Sequence, residues 1–178
     1  MLGAELQLDC TLKAEDGHGV PCPYGMVKKT TSSSLTKLRI RRAKASDVSR
    51  LAELSGELGY PTTTAEMKDR LKRVKPAVNN AIFVAEDDGE VIGWTHVSVS
   101  YLLEVPLRAE INGLVVSEAT RSRGTGARLL EAAEAWARTK KCEGMSVRSN
   151  VIRERAHAFY ERNGYEHYKT QKSFRKAL

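Results

Sequence analysis

The chain has 178 residues, of which 41% are hydrophobic and 29% charged, and its formal net charge is +7. That length holds one domain with a real core and little of a second, and no apolar run reaches the ~20 residues of a membrane-spanning helix. The positive charge is spread along the chain rather than gathered into a long basic block, so neither nucleic acid nor membrane is the expected partner, and the surplus suits a protein that holds a polyanionic ligand.

Residues 1–34 show little periodicity and end in the polar run Thr30-Thr31-Ser32-Ser33-Ser34. They lack the basic start and apolar core of a secretory signal, and a mostly disordered extension is expected there. The compositional break nearby raises the expectation that natural synthesis begins at Met26, which the N-terminal mass of the natural protein tests. The globular domain is expected over 35–178. Its first strand is predicted at 38–43, where apolar and basic residues alternate. Ser46-Asp47 marks a helix start, and Val48, Leu51, Leu54 and Leu58 form the stripe that follows. Gly59-Tyr60-Pro61 stops this helix. Thr62 to Thr64 can cap a second one, with Met67, Leu71 and Val74 on one side and an end near Pro76.

Strands are predicted at 81–85 and 91–99, joined by the hairpin signal Asp88-Gly89. Past a connection around 103–106, the residues 111–116 are apolar and β-branched except for Asn112 and Gly113, as in a mostly buried strand. Ser117 to Thr120 ends it, and Arg121-Ser122-Arg123-Gly124-Thr125-Gly126 follows. Leu129, Leu130, Ala133, Trp136 and Ala137 then recur at helical spacing. A strand at 144–148, a helix at 153–163 capped by Gly164, and one or two terminal strands within 165–174 complete the order β, α, α, β, β, β, α, β, α, β. This pattern alone licenses a mixed α/β class.

Cys10, Cys22 and Cys142 are odd in number and scattered, without a paired framework or metal spacing. They fit a reducing, cytoplasmic setting, with Cys142 a small buried residue. His18, His96, His157 and His167 form no ligand pattern, and no metal is expected.

The segment 121–126 has a physical reading. Its glycines let backbone amides approach a ligand, and the helix that follows adds unpaired N–H groups and a positive dipole end, which together suit a phosphate. Arg121 and Arg123 would add charge-assisted hydrogen bonds. It is not a P-loop, because Gly126 is followed by Ala127 and Arg128 rather than Lys and Ser or Thr. It is not a dinucleotide fingerprint, because Leu129 stands where the third glycine belongs. A strand-to-helix turn with its arginines in solvent is the plain alternative.

The spacing Arg-x-x-Gly-x-Gly after Leu114-Val115-Val116 resembles the acetyl-coenzyme A signature of the GNAT superfamily of N-acetyltransferases. Arg121, Gly124 and Gly126 fill its fixed places, while Ser122 and Thr125 depart from the usual wording, closer to Arg-Gly-x-Gly-Ile-Gly, at places that are not fixed. A second segment, Ala158-Phe159-Tyr160-Glu161-Arg162-Asn163-Gly164-Tyr165, resembles the later motif in which a helix carrying Phe-Tyr ends at Gly-Phe or Gly-Tyr. The resemblance covers roughly 38–174. It implies a GNAT-like central mixed sheet, splayed in the middle and flanked by helices, with acetyl-CoA as the acetyl donor.

The resemblance also distributes roles. Arg121, Ser122, Arg123, Gly124, Thr125, Gly126 and Ala127 would surround the pyrophosphate. The strand at Leu114, Val115 and Val116 would pair its backbone with the pantetheine arm, and Val116 could polarise the thioester carbonyl. Asn150 would face the donor, its alternative being a cap or loop hydrogen bond. Tyr160 would be the general acid, its alternative an amphipathic core residue beside Phe159. Glu110 would be the base, on one strand face with Asn112, Leu114 and Val116 by the two-residue period. Its alternative is a surface carboxylate paired with Arg108 or a neighbouring strand, and His96 is a second candidate base. The implied activity is acetyl transfer to a primary amine of a small molecule or peptide, by direct attack in a ternary complex. The alternative is a non-catalytic acyl-CoA-binding regulatory protein on the same fold. Residues 57–67 would border the acceptor. Leu58-Gly59-Tyr60-Pro61 resembles a segment of small bacterial GNAT proteins, some assigned by similarity to aminoglycoside acetyltransferases. Amino acids, polyamines, aminoglycosides and protein amines all stay open, and a homodimer is compatible with the resemblance.

Overall fold

The computed structural model describes residues 38–74 and 77–177. The expected extension over 1–34, the domain start at Leu35 and the helix end near Pro76 lie outside them. Among the described residues five strands form one sheet in sequence order: β1 Arg39–Arg42, β2 Asn80–Asp87, β3 Glu90–Ser100, β4 Arg108–Val116 and β5 Gly144–Val147. The first four run antiparallel to their neighbours, and β5 lies parallel to β4. The helices are α1 Val48–Glu57, α2 Thr64–Val74, α3 Thr125–Thr139 and α4 Glu154–Arg162.

Local chemistry explains the boundaries. Asp88 and Gly89 both have positive φ, 47° and 85°, the backbone of a two-residue hairpin turn whose twist matches the strands it joins. At α2, the Glu66 N–H donates to Thr63 Oγ1 at 3.2 Å and the Thr63 N–H donates to Glu66 Oε2 at 2.9 Å, a reciprocal capping box. At the end of α4, Gly164 takes φ 82° and the Tyr165 N–H reaches back to Tyr160 O at 3.1 Å, which closes the last turn. The entry to α1 is held by Arg41 of β1. Its guanidinium lies 2.7 Å from Asp47 and 2.6 Å from Glu86, with Arg41 and Asp47 almost wholly buried. Burial works to raise the Asp47 pKa, but the bonds from Arg41 and the Lys44 N–H outweigh it and hold the carboxyl below its usual range.

The sheet is covered on both faces. Ala81, Val97, Val99, Ala109 and Ile111 pack with Leu130, Ala133 and Trp136 of α3. On the other face Val84, Val91 and Val115 pack with Val48, Leu51 and Leu54 of α1 and Leu71 of α2. Among the described residues no helix is long and apolar enough to cross a membrane.

Two expectations fail. The first is that Glu110, Asn112, Leu114 and Val116 share one face. His96 pairs with Gly113 and Val97 with Ile111, so Asn112 is an extra residue without a partner in the register. Such a bulge reverses the alternation of side chains. Ala109 and Ile111 face α3 before it, and Leu114 and Val116 join that side after it, while Val115 turns to α1. The second is the terminal strand or strands within 165–174. Residues 165–177 adopt no regular secondary structure, and Glu166 through Ala177 are exposed. Lys169 and Lys172 stand between Tyr168 and Phe174, and Arg175 and Lys176 follow, so no continuous apolar face forms over 165–174 to hold a strand on the sheet.

Candidate active site

The ladder between β4 and β5 is short. It runs from Arg108 opposite Gly144 to Ile111 opposite Val147, and β4 then continues to Val116 after β5 has ended. The direction of the β4 backbone groups follows from its other neighbour. The Ser117 N–H donates to Ile92 O at 2.8 Å. By antiparallel alternation Val115 also turns its groups toward β3, and Leu114 and Val116 turn theirs to the opposite side, into the gap. Beside that gap Ser149 holds a buried hydroxyl without a hydrogen-bond partner.

The loop at the end of β4 is bent by backbone geometry rather than by side-chain caps. Ser122 has φ 69° and Gly124 φ 77°, and Gly124 is the residue before α3. The Arg128 N–H bonds to Gly124 O at 3.2 Å, so the amides of Thr125, Gly126 and Ala127 form the open first turn of the helix. The two glycines have different reasons. A Cβ at Gly124 would meet nothing within 4 Å, and its conformation is what requires glycine. A Cβ at Gly126 would lie 3.2 Å from the Phe159 ring, so that glycine lets α4 pack on the start of α3. Arg121 folds back: Nε donates to Val116 O at 3.2 Å and Nη1 pairs with Glu118 at 2.7 Å. Arg123 is exposed.

Phe159 and Tyr160 meet edge to face, with ring centroids 5.2 Å apart, and Tyr160 is 5.6 Å from the Tyr165 ring. Burial pushes the Tyr160 phenol up to about 12, with the nearby Arg153 charge opposing. The group is therefore a neutral hydroxyl at physiological pH, the state a proton donor needs. Tyr165 lies 3.4 Å from Glu134 through its own hydroxyl.

The structure thus brings Val116, Arg121, the first turn of α3 and Phe159 to one end of the gap, with the Tyr160 ring against Phe159 and Tyr165. Glu110 lies further down β4, opposite Ser98 and Ser146. Its carboxylate is 2.6 Å from Arg148 Nε, the residue just past β5, rather than from Arg108. Asn150 is exposed, and its Oδ1 accepts a hydrogen bond from the Ile152 N–H at 3.2 Å, a local loop bond. His96 shares 2.9 Å with Asn80 through Nε2, and burial lowers its pKa.

One residue went unread in the sequence. Arg153, just before α4, donates from Nη2 to Leu58 O at 2.7 Å, and its guanidinium lies 5.8 Å from the Tyr60 ring centroid. It joins the α1–α2 turn to the helix that carries Tyr160. Its partner is 95 positions away in sequence, so no local pattern signals it.

A family model described as the Acetyltransferase (GNAT) family matches residues 48–165. The Bacillus subtilis (strain 168) protein named uncharacterized N-acetyltransferase YhfO is 29% identical over 134 residues, which is 72% of this chain and 90% of that protein. A putative acetyltransferase from Agrobacterium tumefaciens str. C58 is 26% identical, with a TM-score of 0.70 over 78% of this chain and 99% of its own. The structure of aminoglycoside N-acetyltransferase AAC(6')-Iy in complex with CoA has a TM-score of 0.73 over 89% of this chain and 100% of its own; at 19% identity it speaks to the fold.

Proposed function

Because this chain belongs to the GNAT acetyltransferase family, we propose that it transfers an acetyl group from acetyl-CoA to a primary amine of a small molecule or peptide, by direct attack in a ternary complex. The observation that carries this reading is the gap beyond Ile111 and Val147, into which Leu114 and Val116 turn backbone groups. A ligand arm that hydrogen-bonds like a strand needs such groups. The open first turn at Thr125, Gly126 and Ala127 suits a pyrophosphate, and the unpartnered Ser149 hydroxyl suits a further polar atom in the same place.

Bound acetyl-CoA supplies an acetyl thioester. In the proposed mechanism the Val116 amide stabilises the carbonyl oxygen as it gains negative charge. Tyr160 donates its phenolic proton to the departing sulfur, and its burial keeps that proton in place until it is needed. Glu110 draws the cationic amine in and accepts the proton it must lose, directly or through water. Arg121 holds the end of β4 and the loop together while adding positive charge beside the phosphates. Asn150 completes the donor side from the loop after β5. The domain carrying this activity is 35–178.

The test is to incubate the protein with acetyl-CoA and a panel of primary amines, small and peptidyl, and to detect the acetylated amine by mass. The expected result is product from one class of amine. Donor binding without product from any amine would favour the non-catalytic acyl-CoA-binding alternative, which fold alone does not separate from catalysis.

A further inference from the structure

Where β4 and β5 part, one face of the sheet is polar and open. Ala109 and Ile111 of β4 and Met145 and Val147 of β5 face α3. By the two-residue period Arg108, Glu110 and Ser146 point to the opposite face, and Ser98 of β3, paired with Glu110, lies there with them. Asn112, the bulged residue, joins them by donating from Nδ2 to Ser98 Oγ at 2.7 Å. α1 and α2 pack on that face further along, over Val84, Val91 and Val115, and Arg108 and Asn112 are exposed.

Arg148 completes the tract. It is the first residue past β5, where the ladder with β4 stops, and its Nε lies 2.6 Å from Glu110 Oε1. The pair therefore spans the two strands at the mouth of the gap. Its members differ in exposure, 25% for the Glu110 side chain and 72% for that of Arg148. The carboxylate rests against the sheet, while the guanidinium lies in water and among the described residues has no other ion-pair partner. A pair this exposed contributes little by itself, and it exchanges readily for contacts with a ligand that carries both charges.

The charges of the tract select among amines. One carboxylate, Glu110, stands with two arginines, Arg108 and Arg148. A polyamine or aminosugar that gives one ammonium to Glu110 brings its others to the arginines, like charge to like. A simple monoamine takes Glu110 from Arg148 and offers that cation nothing in return. A zwitterion satisfies both: its ammonium goes to Glu110 and its carboxylate to Arg148, whose planar fork suits a carboxylate. Because Glu110 and Arg148 touch, the two charges of the ligand must also lie close together, as they do on one carbon.

We infer that the acceptor is a free α-amino acid, with Glu110 receiving its ammonium and Arg148 its carboxylate. This rests on the acetyl-transfer reading and makes Arg148 a specificity-determining residue. The amine nitrogen bonds to the acetyl carbon as the carbon–sulfur bond breaks. Of the two protons the ammonium loses, one passes through Glu110 to water and the other restores the one that Tyr160 gives to sulfur. The products are an N-acetylamino acid and coenzyme A with a free thiol.

In the test, the full chain and acetyl-CoA are given each of the twenty common L-amino acids, the carboxamide of each, and spermidine, and the values of kcat/KM are compared. At least one amino acid should exceed both its own carboxamide and spermidine a hundredfold or more. For that amino acid Arg148→Gln should raise KM at least tenfold with kcat changed less than threefold. Arg148→Lys should recover part of the loss, and Arg148→Glu should reverse the preference toward the carboxamide. A merely structural Arg148 would move acid and amide alike, so an unchanged ratio in Arg148→Glu would overturn the inference. Calorimetric titration of the same amino acids into the protein saturated with coenzyme A reads the site without turnover. Acetylation of spermidine or of carboxamides in preference to every amino acid would overturn the inference and leave acetyl transfer intact. Binding of an amino acid, weakened at least tenfold in Arg148→Gln, with no amine acetylated would support the site and count against transfer. Neither binding nor acetylation would overturn both.

Discussion

β2 and β3 pair over eight registered positions, whereas β4 and β5 pair over four and then separate. At the paired end, backbone groups find partners within the sheet, and β1 is fastened to α1 by Arg41, Asp47 and Glu86. At the parted end, Leu114 and Val116 turn main-chain groups away from their neighbour strand, and the nearest loop is held by Arg121 on Val116 O. The same kind of strand serves stability where its ladder is complete and offers recognition where the ladder stops, because a backbone N–H or C=O must find a partner somewhere. The two regions should accordingly respond to substitution in different currencies, one in stability and the other in turnover.

The largest expected effect is at the open side. Tyr160→Phe removes the proposed proton donor and should lower kcat about 10²–10³-fold, with acetyl-CoA affinity nearly unchanged in a binding titration. With the phenol pushed up to about 12, the wild type should lose no activity through Tyr160 ionisation below about pH 11. Glu110→Gln should lower kcat/KM about 10²-fold near neutral pH, and the deficit should shrink above the pKa of the free amine, where the amine arrives neutral and no ammonium proton has to be removed before attack. An unchanged pH–rate profile would reassign Glu110 to its pair with Arg148.

On the closed side, Asp47→Asn should cost about 3 kcal/mol of stability near neutral pH, because it leaves Arg41 partly unpaired in a buried place. The folded Asp47 pKa lies below the unfolded value near 3.8. Its contribution is therefore fully present above that value and is lost as pH falls through the folded pKa. Denaturant melts of the two proteins should diverge at pH 7 and converge in acid, with kcat of the folded variant unaltered. The smallest effect is expected for Arg121→Ala, about tenfold weaker acetyl-CoA binding, read by calorimetry.

Legibility in the sequence follows the same division. The hairpin at Asp88-Gly89, the Thr63–Glu66 box and the Gly164 cap are local, and each was readable from a few adjacent residues. The stripe Leu129, Leu130, Ala133, Trp136, Ala137 gave α3 and its buried face, which the structure shows. The bulge at Asn112 was hidden, because an extra residue is defined by the register of the partner strand and not by its own type. Arg153 was hidden for a similar reason, since Leu58 O reaches it only after α1 and α4 are both in place. Gly126 was read as room for a ligand, and its contact with Phe159 shows a packing reason that the two motifs together could have suggested. The strands expected within 165–174 do not form, because Lys169 and Lys172 separate Tyr168 from Phe174 and leave no apolar face to pack on the sheet.

The most direct test of the central claim is amide hydrogen exchange at Leu114 and Val116, read residue by residue by NMR with and without acetyl-CoA. The account predicts that both amides become protected when the donor binds, while Val115 and Ser117, already turned toward β3, change little. Binding of acetyl-CoA with Leu114 and Val116 left unprotected would contradict it and place the donor elsewhere on the protein.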